Sequence, residues 1–163
     1  MKRSTLSIRR ATPRDAALVL KMIRGLAEYE RLAHQMEATV SQIRRHGFGR
    51  RRYFEALICR RGRTAIGFAL YFFTFSTFVG RPTLYLEDLF VLPEERGRGA
   101  GKALLSALAR IAVRRGCGRL EWAVLDWNTP AIAFYRGLGA RPLEEWNTFR
   151  LCDDPLRALA GER

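Results

Sequence analysis

Glu87 and Asp88 interrupt the run Leu84-Tyr85-Leu86-Glu87-Asp88-Leu89-Phe90-Val91-Leu92, whose branched and aromatic residues otherwise predict a buried central strand. Charged side chains are rarely buried without a partner or a task, so this pair is a candidate for proton chemistry. After Pro93, the segment Arg96-Gly97-Arg98-Gly99-Ala100-Gly101-Lys102 sets three glycines within five residues ahead of a long amphipathic pattern. Such a turn lets the main chain approach a ligand with several N–H groups aligned, and the helix behind it adds the positive end of its dipole. The combination suits an oligophosphate. Two familiar phosphate patterns fail. A P-loop needs Gly where Arg96 stands and Ser or Thr where Ala103 stands. A dinucleotide fingerprint counted from Gly97 needs Gly at Lys102 and a matching first strand near the N-terminus.

These residues must be positioned by alternating strands and helices. Leu6 to Arg10 predicts a first strand, and Thr12-Pro13-Arg14-Asp15 supplies a cap, a first-turn proline and a capping-box carboxylate. The helix that follows has Val19, Met22, Ile23 and Leu26 as its inner stripe, with Tyr29 and Glu30 at or just past its end. Thr39-Val40-Ser41-Gln42 opens a short helix to about His46. Tyr53 to Cys59 and Thr64 to Phe78 form a hairpin about Arg61-Gly62-Arg63, and Gly80-Arg81-Pro82 turns the chain into the central strand. After the Gly-rich turn, Leu104, Leu105, Leu108, Ile111 and Ala112 make one side of a helix that Gly116 ends. Leu120 to Leu125 is the next strand. A strand–helix–strand unit of this length makes the two strands parallel and puts the Gly-rich turn at a carboxyl strand end, where open α/β sheets take ligands. Asp126-Trp127-Asn128-Thr129-Pro130-Ala131-Ile132-Ala133-Phe134-Tyr135 then starts a helix that Gly137-Leu138-Gly139-Ala140 closes. A last strand over Thr148 to Cys152 and a helical turn over Pro155 to Ala160 complete the chain.

The 163 residues suit one domain, 1–163, able to bury roughly two-thirds of its unfolded surface. Twenty-nine basic residues against sixteen acidic give +13, which draws polyanions and keeps a nucleic-acid partner open. The basic residues are scattered along every segment instead of forming a block, which makes that partner the lesser alternative. The N-terminus does not look like a signal peptide, and no apolar run reaches the roughly 18 residues of a membrane helix, so a cytoplasmic protein with no membrane association is expected. Cys59, Cys117 and Cys152 lack a Cys-x-x-Cys pair or nearby histidines and are expected to be buried thiols, with no metal.

Arg96-x-x-Gly99-x-Gly101 resembles the coenzyme A loop of the GCN5-related N-acetyltransferase (GNAT) superfamily, and Asn128 followed by Ala131-x-x-Phe134-Tyr135 resembles its second coenzyme A motif. With Leu26-Ala27-Glu28-Tyr29-Glu30 and Leu84 to Val91, the chain is similar to the diamine or spermidine/spermine N-acetyltransferase branch over most of its length. The resemblance implies an α/β fold with a central mixed, mostly antiparallel sheet, a splayed parallel strand pair and flanking helices. It implies acetyl-coenzyme A as co-substrate and a homodimer. The cofactor residues carried over are Arg96, Gly97, Arg98, Gly99, Ala100, Gly101 and Lys102 for the pyrophosphate, the backbone of Leu89, Phe90 and Val91 for the pantetheine and thioester, and Asn128, Ala131 and Tyr135. One departure concerns the substrate. The branch carries an acid and a Trp at the tip of the aromatic hairpin strand, where this chain has Ser76 and Phe78.

An attacking amine must be neutral, and an ammonium with a pKa of about 10.4 leaves only about one molecule in a few thousand ready at pH 7. Glu87 is the expected base, acting directly or through water. Tyr135 occupies the family position facing the thioester sulfur, and a phenol pKa of about 10 is close enough to a thiol's, about 8.5, for it to protonate the leaving group. Tyr29, Glu30, Glu87, Glu121, Trp122 and Glu144 or Glu145 are expected to form an acidic and aromatic wall for an ammonium. The implied reaction is direct acetyl transfer, in a ternary complex, to a primary amine of a small molecule. A protein N-terminus or lysine as acceptor and a basic nucleic-acid-binding module are the alternatives.

Overall fold

The computed structural model describes residues 5–161, and the chain divides into two compact units, Met1–Leu125 and Asp126–Arg163. In the first unit, β1 (Leu6–Arg10), β2 (Glu55–Arg61), β3 (Thr64–Ser76), β4 (Arg81–Val91) and β5 (Arg119–Trp122) form one sheet in that spatial order. Neighbours are antiparallel except β4 and β5, which run parallel, so the mixed, mostly antiparallel sheet expected from the sequence is present. The parallel pair follows from the crossover through α3 (Ala100–Arg114), since two strands running the same way need a long connection.

Helices α1 (Ala16–Tyr29) and α2 (Val40–Phe48) cover one face, where Val19, Leu20, Met22 and Ile43 pack with Ile58, Phe68, Leu70 and Phe90. The residues alternating with these, such as Leu57 and Ala69, are also buried and look to the other face. There α3 contacts the strands and buries the expected stripe of Leu104, Leu105, Leu108, Ile111 and Ala112. Each leucine or isoleucine of that stripe contributes about 1.5–3 kcal/mol by leaving water.

The entry to α1 is fixed by Asp15, whose buried carboxylate accepts two bonds of 2.7 Å from the Arg9 guanidinium and one of 2.7 Å from the Thr12 N–H. Those bonds, the Arg9 pair foremost, hold the Asp15 carboxyl well below the usual carboxylate range. Because its folded pKa is depressed, its stabilisation is complete above the unfolded pKa of about 4 and is lost as pH falls below it. Asp15→Asn is therefore expected to cost about 2–3 kcal/mol at pH 7 and progressively less below pH 4, read from urea midpoints across pH.

Several boundaries differ from the sequence expectation; β2 and β3, for example, run Glu55–Arg61 and Thr64–Ser76. α2 runs through Gly47 to Phe48 because that glycine packs against the Phe54 ring, where a Cβ would come within 2.5 Å. Pro82 lies inside β4 rather than in a turn, and its missing N–H is tolerated because the β5 ladder begins only at Thr83. β5 stops at Trp122. In the second unit, which contains α4 (Thr129–Gly137) and α5 (Asp153–Leu159), the strand expected over Thr148 to Cys152 does not form. A strand of that length needs an adjacent edge to pair with, and this segment makes no ladder and leaves Phe149 exposed. All three cysteines are free thiols, but only Cys59 is buried; Cys117 is half-buried and Cys152 exposed, because neither lies on a strand facing the core.

Candidate active site

A β-bulge in β4 decides which carboxylate faces where. Leu86 pairs with Tyr71, while Asp88 pairs with Leu70, leaving Glu87 as the extra residue. Tyr71 and Leu70 are neighbours on β3 and point to opposite faces, so Leu86 and Asp88 do too, although two residues apart. Asp88 thereby joins Tyr85 and Phe90 on the face covered by α1, and Glu87 projects to solvent.

On that face the carboxylates gather. Burial, with the charges of Glu87 and Glu30 added, pushes the Asp88 carboxyl up to about 7. Glu30, capping the C-terminus of α1, is half-buried and is also raised by burial. Glu121 pairs with Tyr85 across the parallel ladder, and the Tyr85 phenol is raised by burial and then by the charges of Glu87 and Glu121. Phe72 lies 5.2 Å from the Tyr85 ring, completing an acidic and aromatic surface suited to an ammonium. Arg119 closes its far end, bonded to Glu121 at 3.1 Å and to the Ser76 hydroxyl. The structure thus brings together Glu30, Glu87 and Glu121 of the expected wall. Trp122 pairs with Leu86 and belongs to the opposite face. Asp88, Tyr85 and Phe72 are additions. The sequence flagged Asp88 as half of a pair but gave no reason to prefer it, because strict alternation places it with Leu86.

At the end of β4 the ladder to β5 stops at Leu86 and Trp122, while β4 continues to Val91. The edge of Leu89, Phe90 and Val91 that faces away from β3 therefore has no β5 partner. The Gly-rich turn follows, with Gly97 and Gly99 at φ +69° and +87°, values that a side chain strains to adopt. Nothing lies within 4 Å of where a Gly97 Cβ would stand, so the backbone there is open to a ligand. Glu95 fixes the turn, binding Arg61 at 2.8 Å and Arg98 at 3.0 Å. Arg96 turns toward α1, its guanidinium 4.3 Å over the Tyr29 ring and its Nε donating to the Val91 carbonyl at 3.1 Å.

Residues 20–140 match the Acetyltransferase (GNAT) family. This chain belongs to the GNAT acetyltransferase family. Over 98% of its length and 99% of the relative's it is 39% identical to a thialysine N-epsilon-acetyltransferase of Sus scrofa. It is 34% identical, over 95% of this chain and 24% of the relative, to spermidine/spermine N(1)-acetyltransferase-like protein 1 of Homo sapiens. An integron cassette protein from the mobile metagenome of V. cholerae shares its fold at a TM-score of 0.80 and 25% identity, covering 95% of this chain and 97% of that one. The chain is accordingly an N-acetyltransferase akin to the diamine and polyamine branch.

GNAT enzymes use acetyl-coenzyme A, and the turn of this acetyltransferase fits its diphosphate. The first intrahelical bond of α3 is Ala103 N–H to Gly99 O, at 3.0 Å. The amides of Ala100, Gly101 and Lys102 precede it and have no helical carbonyl to bond, which is the arrangement that accepts an anion. In the second unit, Asn128 is buried at the N-cap of α4, Ala131 lies in its first turn and Tyr135 near its end, 5.5 Å from Phe134. Glu144 stands on an exposed turn.

Proposed function

We propose that this acetyltransferase transfers acetyl from acetyl-coenzyme A directly to a primary amine of a small molecule, in a ternary complex. The acceptor class is a diamine, a polyamine or the side-chain amine of an amino acid, in keeping with the thialysine and spermidine/spermine names of its relatives. The observation that carries the site is the carboxylate group around the β4 bulge, with Asp88 at about 7. When bound, the co-substrate supplies a thioester whose carbonyl carbon accepts the amine lone pair as the C–N bond forms and the C–S bond breaks. The residues of this chain do the rest. Glu87, Glu30 and Glu121 draw the ammonium to a protein of net charge +13. The Glu87–Asp88 pair takes its proton, Asp88 being the member whose protonation equilibrium lies at neutral pH. The turn amides from Gly97 to Lys102, with Arg96, Arg98 and Lys102, hold the diphosphate. Leu89, Phe90 and Val91 offer main-chain groups to the pantetheine, Asn128 and Ala131 complete its site, and Tyr135 gives a proton to the departing thiolate. Tyr29 serves the acceptor, whereas Trp122, on the opposite face of the sheet, and Glu144, on an exposed turn, have no part in it. Assembly as a cytoplasmic homodimer belongs to the same proposal.

Calorimetry with acetyl-coenzyme A, followed by turnover on a panel of amines and lysine-bearing peptides, tests it. Saturable binding with acetylation of small amines supports it. Peptide-only turnover moves the acceptor to proteins, and no binding together with salt-sensitive oligonucleotide binding favours a nucleic-acid module.

A further inference from the structure

A second feature of the α1 face carries two cations, Lys21 and Arg24, that have no part in these roles. A cavity of about 500 Å³ lies beyond the carboxylates, floored by Phe90 and Leu92, with Lys21, Arg24 and Arg96 among its lining. Lys21, Arg24, Gly25 and Glu28 fall on one stripe of α1 at helical spacing. Gly25 lets the helix lie on the floor, since a Cβ there would come within 2.8 Å of the Phe90 ring. Arg96 stands 4.3 Å over Tyr29 and 5.7 Å over Phe90. Lys21 and Arg24 make no ion pair among the described residues. With Arg96 committed to the diphosphate, Lys21 and Arg24 thus face one carboxylate, Glu28, around an apolar floor.

The distance to the acidic group gives this charge a use. Asp88 is two residues from Phe90 on the same face, about 6.6 Å along the strand. Arg24 precedes Glu30 by six residues, about 9 Å along α1. An ω-amino acid side chain of four carbons, with bonds of about 1.5 Å, holds its nitrogen about 6–7 Å from the α-carbon. One zwitterion can therefore place its side-chain ammonium among Glu30, Glu87 and Asp88 and its carboxylate among the cations.

We propose that this cavity is a carboxylate-binding subsite, with Lys21 and Arg24 as the residues that select an α-amino acid of lysine length over a diamine or polyamine. The proposal rests on the small-amine acetyltransferase function given above. A diamine of the same length sets its second ammonium against Lys21 and Arg24, and this repulsion discriminates as the attraction does.

The test compares L-lysine, L-lysine methyl ester and cadaverine as acceptors at saturating acetyl-coenzyme A, with the native protein and the Lys21→Gln/Arg24→Gln double variant. Both side chains are exposed, so the fold is unaffected. Native protein is expected to favour L-lysine over the ester and over cadaverine by at least about tenfold in kcat/KM. The double variant is expected to raise KM for L-lysine at least about tenfold, with kcat within about twofold, and to leave KM for the other two unchanged or lower. Native protein that uses cadaverine or the ester as well as L-lysine overturns the subsite and leaves the acetyltransferase proposal standing, as does a double variant that raises all three KM values alike. Turnover of none of the three amines also overturns the subsite, and only failure on every small amine of the wider panel overturns the small-amine proposal itself.

Discussion

Asp88→Asn is expected to lower kcat/KM by about 10²–10⁴ and to remove the bend near pH 7 from its pH profile. With the folded carboxyl at about 7, the native protein lacks its base below that pH and gains it above, so activity rises through neutrality and then bends. Glu87 raises the Asp88 pKa by its charge, so Glu87→Gln should move the bend to lower pH as well as weaken capture of the ammonium. Stability runs the other way. A buried carboxyl whose pKa is raised keeps its proton where the unfolded chain has lost it, so native stability falls as pH rises from about 4 to about 7. Three pH units at about 1.4 kcal/mol each put the upper bound near ~4 kcal/mol, so Asp88→Asn should be more stable than the native protein at pH 8 and equal to it below pH 4. Greater stability with lost activity distinguishes a functional acid from a structural one, which would lose both. An Asn variant within twofold of native activity, with the bend retained, removes Asp88 from proton transfer.

Tyr135→Phe is expected to lower kcat by about 10²-fold while the affinity for acetyl-coenzyme A stays within about threefold. The hydroxyl contributes only as the thiolate departs, so its loss falls on turnover and not on binding. A phenol near 10 giving its proton to a thiolate near 8.5 works uphill by about 2 kcal/mol, an affordable step only if the donor is held in place. The aromatic neighbour Phe134 and the helix α4, with a proline in its first turn, supply that rigidity. Steady-state kinetics and calorimetry on the same preparation separate the two quantities. Equal losses in both point to a packing role, and unchanged turnover assigns the leaving-group proton elsewhere.

The sequence by itself determined the scaffold, because the features that specify it are local. Periodicity announced α1 and α3, the Thr12 to Asp15 cap set the entry to α1, and the crossover through α3 required β4 and β5 to be parallel. Glycine spacing marked the turn ahead of α3, since the positive φ of Gly97 and Gly99 is written in residue type. Local reasoning failed where a pairing partner decides the outcome. The segment from Thr148 to Cys152 has strand composition but joins no ladder. Only the tertiary structure decided which carboxylate lies under α1. The bulge at Glu87 exists only in the register of β4 against β3, and a one-residue slip reverses the face of every residue after it. That reversal puts Asp88 under α1 beside Glu30, where burial and like charge raise its pKa, while packing of α1 on Phe90 puts Lys21 and Arg24 around the neighbouring cavity. Residues near one another in space and remote in the chain leave no trace in periodicity, so the cavity and its cations were legible only after folding.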